Sequence, residues 1–272
     1  MKKPSIVLLS ILLLYSAACA YMFVVQRSLL FPTDPDDVAQ WVAQVPGAEN
    51  QVLLTPDGFG LKVWWKAPAS PTNPVYLYFH GNSETLLSRA ERLAALTADG
   101  AGLLALSWRG YGGSEGSPSE AGLMTDARTA LAWLIERHAL AQVILYGESL
   151  GTGVAVNLAS QVEAAGLILD SPYTAIVDIA AERYWWLPVK LLSRDHFNSM
   201  QFAPLVQEPA FVYHCSDDRI VPYDQGKVLF AALGSQDKTM KTLQQRCHVP
   251  SIEPLLPDLK AFERRLGFRP QI

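Results

Sequence analysis

The stretch Tyr146-Gly147-Glu148-Ser149-Leu150-Gly151-Thr152-Gly153 decides how this chain folds. The apolar run Gln142 to Tyr146 reads as a buried strand, and Val154 to Ser160 as a helix. Between a strand and a helix, Gly-x-Ser-x-Gly becomes a nucleophile elbow. The turn is tight enough to strain the serine backbone, and glycines two positions either side remove Cβ atoms that would clash. Ser149 is thereby pushed out at the end of a sheet, over the positive end of a helix.

Outward from the elbow, buried runs alternate with helical ones. Gln51 to Thr55 and Leu61 to Lys66 flank the turn Pro56-Asp57-Gly58 and predict an antiparallel hairpin. Further strands are expected at Val75 to Phe79, Gly102 to Ser107, Gly166 to Leu169, Ala210 to Tyr213 and Thr239 to Leu243. Helices are expected at Leu86 to Ala98, Tyr223 to Leu233 and Ile252 to Leu266. Another starts with Ser117 as cap, Pro118 at the first helical position and Glu120 closing a capping box, and runs to about His138. Strands buried on both faces and separated by helices predict an α/β fold, a mostly parallel sheet covered on both sides.

An elbow serine needs an acid and a base, expected in the order Ser, acid, His. Asp218 follows the strand Ala210 to Tyr213 and opens an Asp-x-x-Val-Pro turn, so it is the candidate acid, with Asp217 as the alternative. His248 follows the last strand and is the candidate base. His138, His196 and His214 fit that role less well. The oxyanion hole needs two backbone N–H groups. Leu150 supplies one, and His80-Gly81-Asn82, after Val75 to Phe79, supplies the other through Asn82. His80 reads as a brace for that loop.

These segments, together with Trp108-Arg109-Gly110-Tyr111-Gly112-Gly113-Ser114-Glu115-Gly116, resemble the α/β-hydrolase superfamily. More narrowly they resemble its membrane-anchored Bem46-like and ABHD13-like serine hydrolases, from about Gln26 to the C-terminus. The resemblance implies the α/β-hydrolase fold and a Ser149, His248, Asp218 triad, with Arg109 bracing the fold. Ser83-Glu84 departs from the small residues that relatives often carry there. The implied activity is cleavage of carboxylic esters or thioesters, lipid-like ones included, with neither metal nor organic cofactor. A serine peptidase or amidase on the same triad is the alternative, as is a non-catalytic binding protein of the same fold.

Residues 172–204 interrupt the alternation and read as a short helical cap, with Tyr173, Trp185 and Trp186 as candidate substrate-binding residues. Packing of the cap aromatics on the sheet edge is the other reading.

The N-terminus has its own character. Lys2 and Lys3 precede Ile6 to Val25, a run interrupted only by Ser10, Ser16 and tyrosine hydroxyls, long enough to span a bilayer. The chain is therefore read as an anchor, residues 1–27, and a catalytic domain, residues 28–272. The two lysines, against Arg27 after the run, keep the N-terminus cytoplasmic and place the domain on the non-cytoplasmic side. A cleavable signal segment, or lipidation at Cys19, is the competing reading. Of the three cysteines, Cys215 and Cys247 flank candidate site residues; they could pair in an oxidising compartment or remain small buried side chains. A net charge of −4 and scattered Arg and Lys exclude a basic stripe, so a nucleic-acid partner is not expected. Oligomeric state is not legible.

Overall fold

A computed structural model describes residues 3–33, 42–83 and 85–269. The stretch Pro32 to Pro46 reads in sequence as a loop with a short helix at most; its residues 34–41 lie outside the described residues, as does Glu84.

Helix α1 (Lys3–Leu30) is followed by an antiparallel pair, β1 (Glu49–Leu54) and β2 (Gly60–Lys66). Then come β3 (Val75–Phe79), α2 (Ala90–Leu96), β4 (Gly102–Leu106), α3 (Glu120–Ile135), β5 (Val143–Glu148), α4 (Leu150–Ala159) and β6 (Gly166–Asp170). Three short helices follow, α5 (Ile176–Arg183), α6 (Val189–Leu192) and α7 (Ser199–Phe202). The domain closes with β7 (Ala210–Cys215), α8 (Tyr223–Ala232), β8 (Lys238–Leu243) and α9 (Leu256–Arg265). Among the described residues the strands form one sheet in the order β1-β2-β4-β3-β5-β6-β7-β8. Pairing is antiparallel from β1 to β4 and parallel from there to β8.

The central strands are buried on both faces, and their alternation sorts the core into two layers. In β3, Val75, Leu77 and Phe79 point to one face, with Leu123 and Leu131 of α3, Val154 and Leu158 of α4 and Leu229 of α8. Tyr76 and Tyr78 point to the other, with Leu93 and Leu96 of α2 and Leu259 and Phe262 of α9. A side chain buried to this degree stabilises the fold by about 1.5–3 kcal/mol. The continuous apolar strands therefore follow from having helices on both sides.

Two helix starts differ from expectation. The cap of α3 is Ser119 rather than Ser117: its backbone is extended and its Oγ accepts from Gly122 N at 3.1 Å. Glu120 does not close a capping box. Its N–H donates to Asp195 and its carboxylate accepts from His196 N, so tertiary partners displace the local motif. Helix α4 begins at Leu150, four residues before the expected Val154, because packing against β3 and β5 overrides the low helix propensity of two glycines.

The Arg109 segment braces the fold. Arg109 holds Asp126 of α3 and Asp57 of the β1–β2 turn, the latter at 2.8 Å, and stacks over Phe59. Helix α1 runs to Leu30 without a break, and Phe31 after it enters the core against Phe197.

Candidate active site

Ser149 stands between β5 and α4 with φ +49°, a region that costs a non-glycine residue about 1–3 kcal/mol. The surroundings enforce it. Ser149 N donates to Asp170 O on the neighbouring strand at 2.9 Å, and Thr152 N returns to Ser149 O at 2.9 Å. A Cβ on Gly147 would sit 2.6 Å from Gly151 O, and one on Gly151 would collide with the Phe79 carbonyl. Only glycine fits at either place, which is why the elbow carries one on each side.

Beneath the elbow lies a charged network absent from the sequence reading. Glu148, fully buried, is held by Arg89 at 2.8 Å and by Tyr78 at 2.6 Å, and Arg92 bridges from it to Asp170. Burial opposes ionisation of Glu148, yet Arg92 and Arg89 outweigh it and hold the carboxyl below its ordinary range. Arg92 also donates to the Pro250 carbonyl at 2.7 Å, two residues past His248. The network thus ties the elbow to the loop that carries the candidate base.

The structure brings Ser149, His248 and Asp218 together. His248 Nε2 lies 2.7 Å from Ser149 Oγ, and His248 Nδ1 lies 2.8 Å from Asp218 Oδ2. Nδ1 faces a carboxylate and therefore carries the proton, which leaves Nε2 free to accept one from the hydroxyl. Asp218 Oδ1 accepts from Ile220 N at 2.8 Å and Val221 N at 3.0 Å. Burial alone would raise its pKa, but hydrogen bonds from His214 and His248 hold it well below the usual carboxylate range. Asp217 is solvent-exposed and pairs with Arg219 instead.

His214 is the residue that sequence reasoning passed over. From the end of β7 its Nε2 meets Asp218 Oδ2 at 3.2 Å and the Val221 carbonyl at 3.0 Å. The spacing of four residues to Asp218 was the available signal. A disulfide joins Cys215 to Cys247, tying the end of β7 to the residue before His248.

Leu150 and Asn82 both line the cavity beside Ser149. Leu150 N opens α4, where the first N–H groups have no acceptor within the helix. Asn82 is fixed by its carbonyl, which accepts from Tyr111 Oη at 2.7 Å, and by its side-chain amide, which donates to Leu30 O at 2.9 Å. His80 is fully buried behind this loop, between the Gly81 carbonyl at 2.7 Å and Trp108 N at 3.3 Å. Burial pushes its pKa down to about 4, so it is a neutral brace.

The three candidate substrate-binding residues lie elsewhere. Tyr173 is fully buried with its hydroxyl on the Leu150 carbonyl at 3.0 Å, supporting α4 from behind. Trp185 and Trp186 point outward, 82% and 45% exposed. An aromatic run in a cap does not specify which side faces inward. The cavity over Ser149, about 420 Å³, is walled instead by Ile176, Ile179 and Leu187 of the cap and by Met22, Gln26, Leu29 and Leu30 of α1. Its size falls in the range of small-molecule sites.

Helix α1 contributes more than a wall. Among the described residues its Ile6–Leu30 portion is the one helix long and apolar enough to cross a membrane.

Comparisons with known proteins bear on the family and the fold. The family described as "Serine aminopeptidase, S33" matches residues 70–202. An uncharacterized protein of Mycobacterium tuberculosis is 35% identical over 223 residues, covering 81% of this chain and 79% of its own. The lysophosphatidylserine lipase ABHD12 of Danio rerio is 32% identical over 197 residues, 65% of this chain but 51% of its own length. Among solved structures, an esterase of Pyrococcus furiosus superposes with a TM-score of 0.69 at 18% identity, over 81% of this chain and 91% of its own. At that identity the likeness speaks for the fold.

Proposed function

This chain belongs to the α/β-hydrolase family of serine hydrolases, and we propose that it cleaves lipid-like carboxylic esters through an acyl-enzyme on Ser149. The observation that carries this reading is the pair of short contacts His248 makes, 2.7 Å to Ser149 and 2.8 Å to Asp218, at the foot of a mostly apolar cavity.

His248 Nε2 takes the hydroxyl proton as Ser149 Oγ attacks the ester carbonyl. Asp218 keeps the imidazole in its productive tautomer and stabilises the imidazolium that forms. The N–H groups of Leu150 and Asn82 receive the developing oxyanion; one such donor is worth about 3–4 kcal/mol in the transition state. His248 then returns the proton to the departing alcohol, and water repeats the sequence on the acyl-enzyme.

The cavity favours an ester over a peptide with a free amino terminus. Among its described lining residues the only carboxylate is Asp195, and Arg27 neutralises it at 2.7 Å. An α-ammonium group would find no acceptor charge there. The apolar wall suits an acyl chain, and the lysophosphatidylserine lipase of Danio rerio, a relative of this chain, is in keeping with a lipid substrate.

We further place residues 1–27 as a membrane anchor, 28–272 as the catalytic domain with 172–204 as its cap, and that domain on the non-cytoplasmic side. The Cys215–Cys247 disulfide supports an oxidising compartment, and Lys2 and Lys3 ahead of α1 support a cytoplasmic N-terminus. The test of the activity is turnover of p-nitrophenyl esters of graded chain length. The reading expects turnover that rises with chain length and is abolished by Ser149→Ala with an unchanged circular dichroism spectrum. Full turnover by that variant would place the nucleophile elsewhere.

A further inference from the structure

Helix α1 does not stand away from the domain as a tether. Tyr15 Oη donates to the Trp186 carbonyl at 3.1 Å. Nearer the domain, Gln26 Nε2 donates to Leu192 O at 3.1 Å and its Oε1 accepts from Arg194 N at 2.8 Å. Arg27 grips Asp195 through two bonds, 2.7 and 3.0 Å. The cap is therefore fastened along α1 from Tyr15 to Arg27, a length of about 18 Å at 1.5 Å per residue.

That length conflicts with a bilayer that covers the helix alone. Crossing a hydrocarbon core of about 30 Å takes about 20 residues, so a slab beginning at Ile6 reaches to about Val25. Tyr15 then lies roughly midway through it. The cap surface it touches falls within the same slab, and that surface is dressed for lipid. Trp185 is 82% exposed, Leu191 84% and Trp186 45%, and α1 itself exposes Tyr21 and Val24, at 66% and 75%. Three large apolar side chains turned outward on one small cap, which is itself fastened to an apolar helix, are an exposed apolar surface of the kind that marks a membrane or partner contact. Of the basic residues nearby, Lys190 is neutralised by Asp178 at 2.8 Å, and Arg194, over the Phe23 ring of α1, has a stem long enough to carry its charge toward headgroups.

We infer that the cap is a second membrane-inserted element. Trp185, Trp186 and Leu191 enter the leaflet in which the C-terminal half of α1 lies, and the cavity over Ser149, walled by both, draws its acyl chain from that leaflet. The inference rests on the reading of Ser149 as the nucleophile of a lipid-directed esterase. It adds the route: the substrate arrives laterally from the bilayer between α1 and α5–α6, without crossing water. It also accounts for the outward Trp185 and Trp186, which have no place in the cavity.

The experiment uses the full chain in phosphatidylcholine–phosphatidylglycerol vesicles, with and without phosphatidylcholine brominated on its acyl chains. Tryptophan emission is expected to be quenched by the bromine, and Trp185→Phe/Trp186→Phe to lose most of that quenching. In the same vesicles, Trp185→Ser/Trp186→Ser/Leu191→Ser is expected to turn over a long-chain ester dissolved in the bilayer about tenfold more slowly, while remaining attached through α1. Its turnover of water-soluble p-nitrophenyl acetate should equal wild type, which also shows that the triple variant folds. Quenching that is unchanged by removal of both tryptophans overturns the inference, and so does equal turnover of the bilayer ester. A wild type inactive on the soluble ester would instead strike at the esterase reading, and the quenching result would still decide where the cap lies.

Discussion

The side-chain amide of Asn82 holds the carbonyl of Leu30 at 2.9 Å, so the loop after β3 is fastened to the last turn of the N-terminal apolar helix. The Asn82 backbone is the candidate second oxyanion donor, and Leu30 lines the same cavity. This hydrogen bond joins those of Gln26 and Arg27 in holding α1 to the domain, on the side where the oxyanion would form. Asn82→Ala keeps the backbone N–H but releases that clamp. The net worth of such a bond, about 0.5–1.5 kcal/mol, predicts a fall in kcat of roughly 2–10-fold. Steady-state kinetics on a p-nitrophenyl ester checks this; an unchanged kcat would mean the loop holds its place without helix α1.

Asp218→Asn tests how the base is oriented. An amide at this position can present its NH2 to His248 Nδ1 and select the tautomer whose Nε2 bears a proton, which cannot accept from Ser149. A fall in kcat of about 10³–10⁴ is expected, with KM little changed. A loss below tenfold would show that His214 and the backbone donors around Asp218 are not organising a catalytic acid.

The Cys215–Cys247 disulfide closes a loop with a sequence separation of 32 and positions His248 one residue further on. Replacing both cysteines with alanine frees that loop in the unfolded chain. A loop of this length predicts a loss of up to about 4 kcal/mol on the chain-entropy account. Urea denaturation of the wild type and the double variant measures it directly. Equal midpoints would mean that the contacts of β7 and β8 alone carry this region.

His80 makes stability depend on pH with a definite sign. An unfolded histidine takes up its proton near 6.5, whereas burial keeps His80 neutral down to about 4. Between those values the unfolded state binds more protons, so stability falls as pH drops from 6.5 to 4, by ~3 kcal/mol. Asp170 acts in the opposite direction over part of this range, because burial pushes its pKa up to about 6. The comparison is therefore between wild type and His80→Gln, which retains a donor and an acceptor for Gly81 and Trp108. The wild type should lose ~3 kcal/mol more than the variant across this interval. Parallel pH–stability curves would contradict the assignment.

Much of this architecture was legible in the chain. The central strands announce themselves because both their faces are covered, and the elbow because only glycine tolerates the approaches of Phe79 and Gly151. Ser149, Asp218 and His248 could be picked out by order and by position after strands, and the structure places them within hydrogen-bond reach. The misreadings share one cause, namely that tertiary partners are invisible in a local pattern. Ser117 lost the cap to Ser119 because Asp195 and His196 occupy Glu120. Trp185 and Trp186 look like a pocket wall until the structure turns them outward, with Tyr15 of α1 holding the Trp186 carbonyl. Glu148 and Arg92 pair across a distance in sequence that no spacing rule covers.

The central claim is that Ser149 is a nucleophile activated by His248. Incubation with a fluorophosphonate, followed by intact-mass measurement and peptide mapping, tests it most directly. The account predicts one adduct per chain on the peptide carrying Ser149, absent from Ser149→Ala and formed far more slowly by His248→Ala. An unlabelled wild type, or an adduct that persists at the wild-type rate in Ser149→Ala, would contradict it.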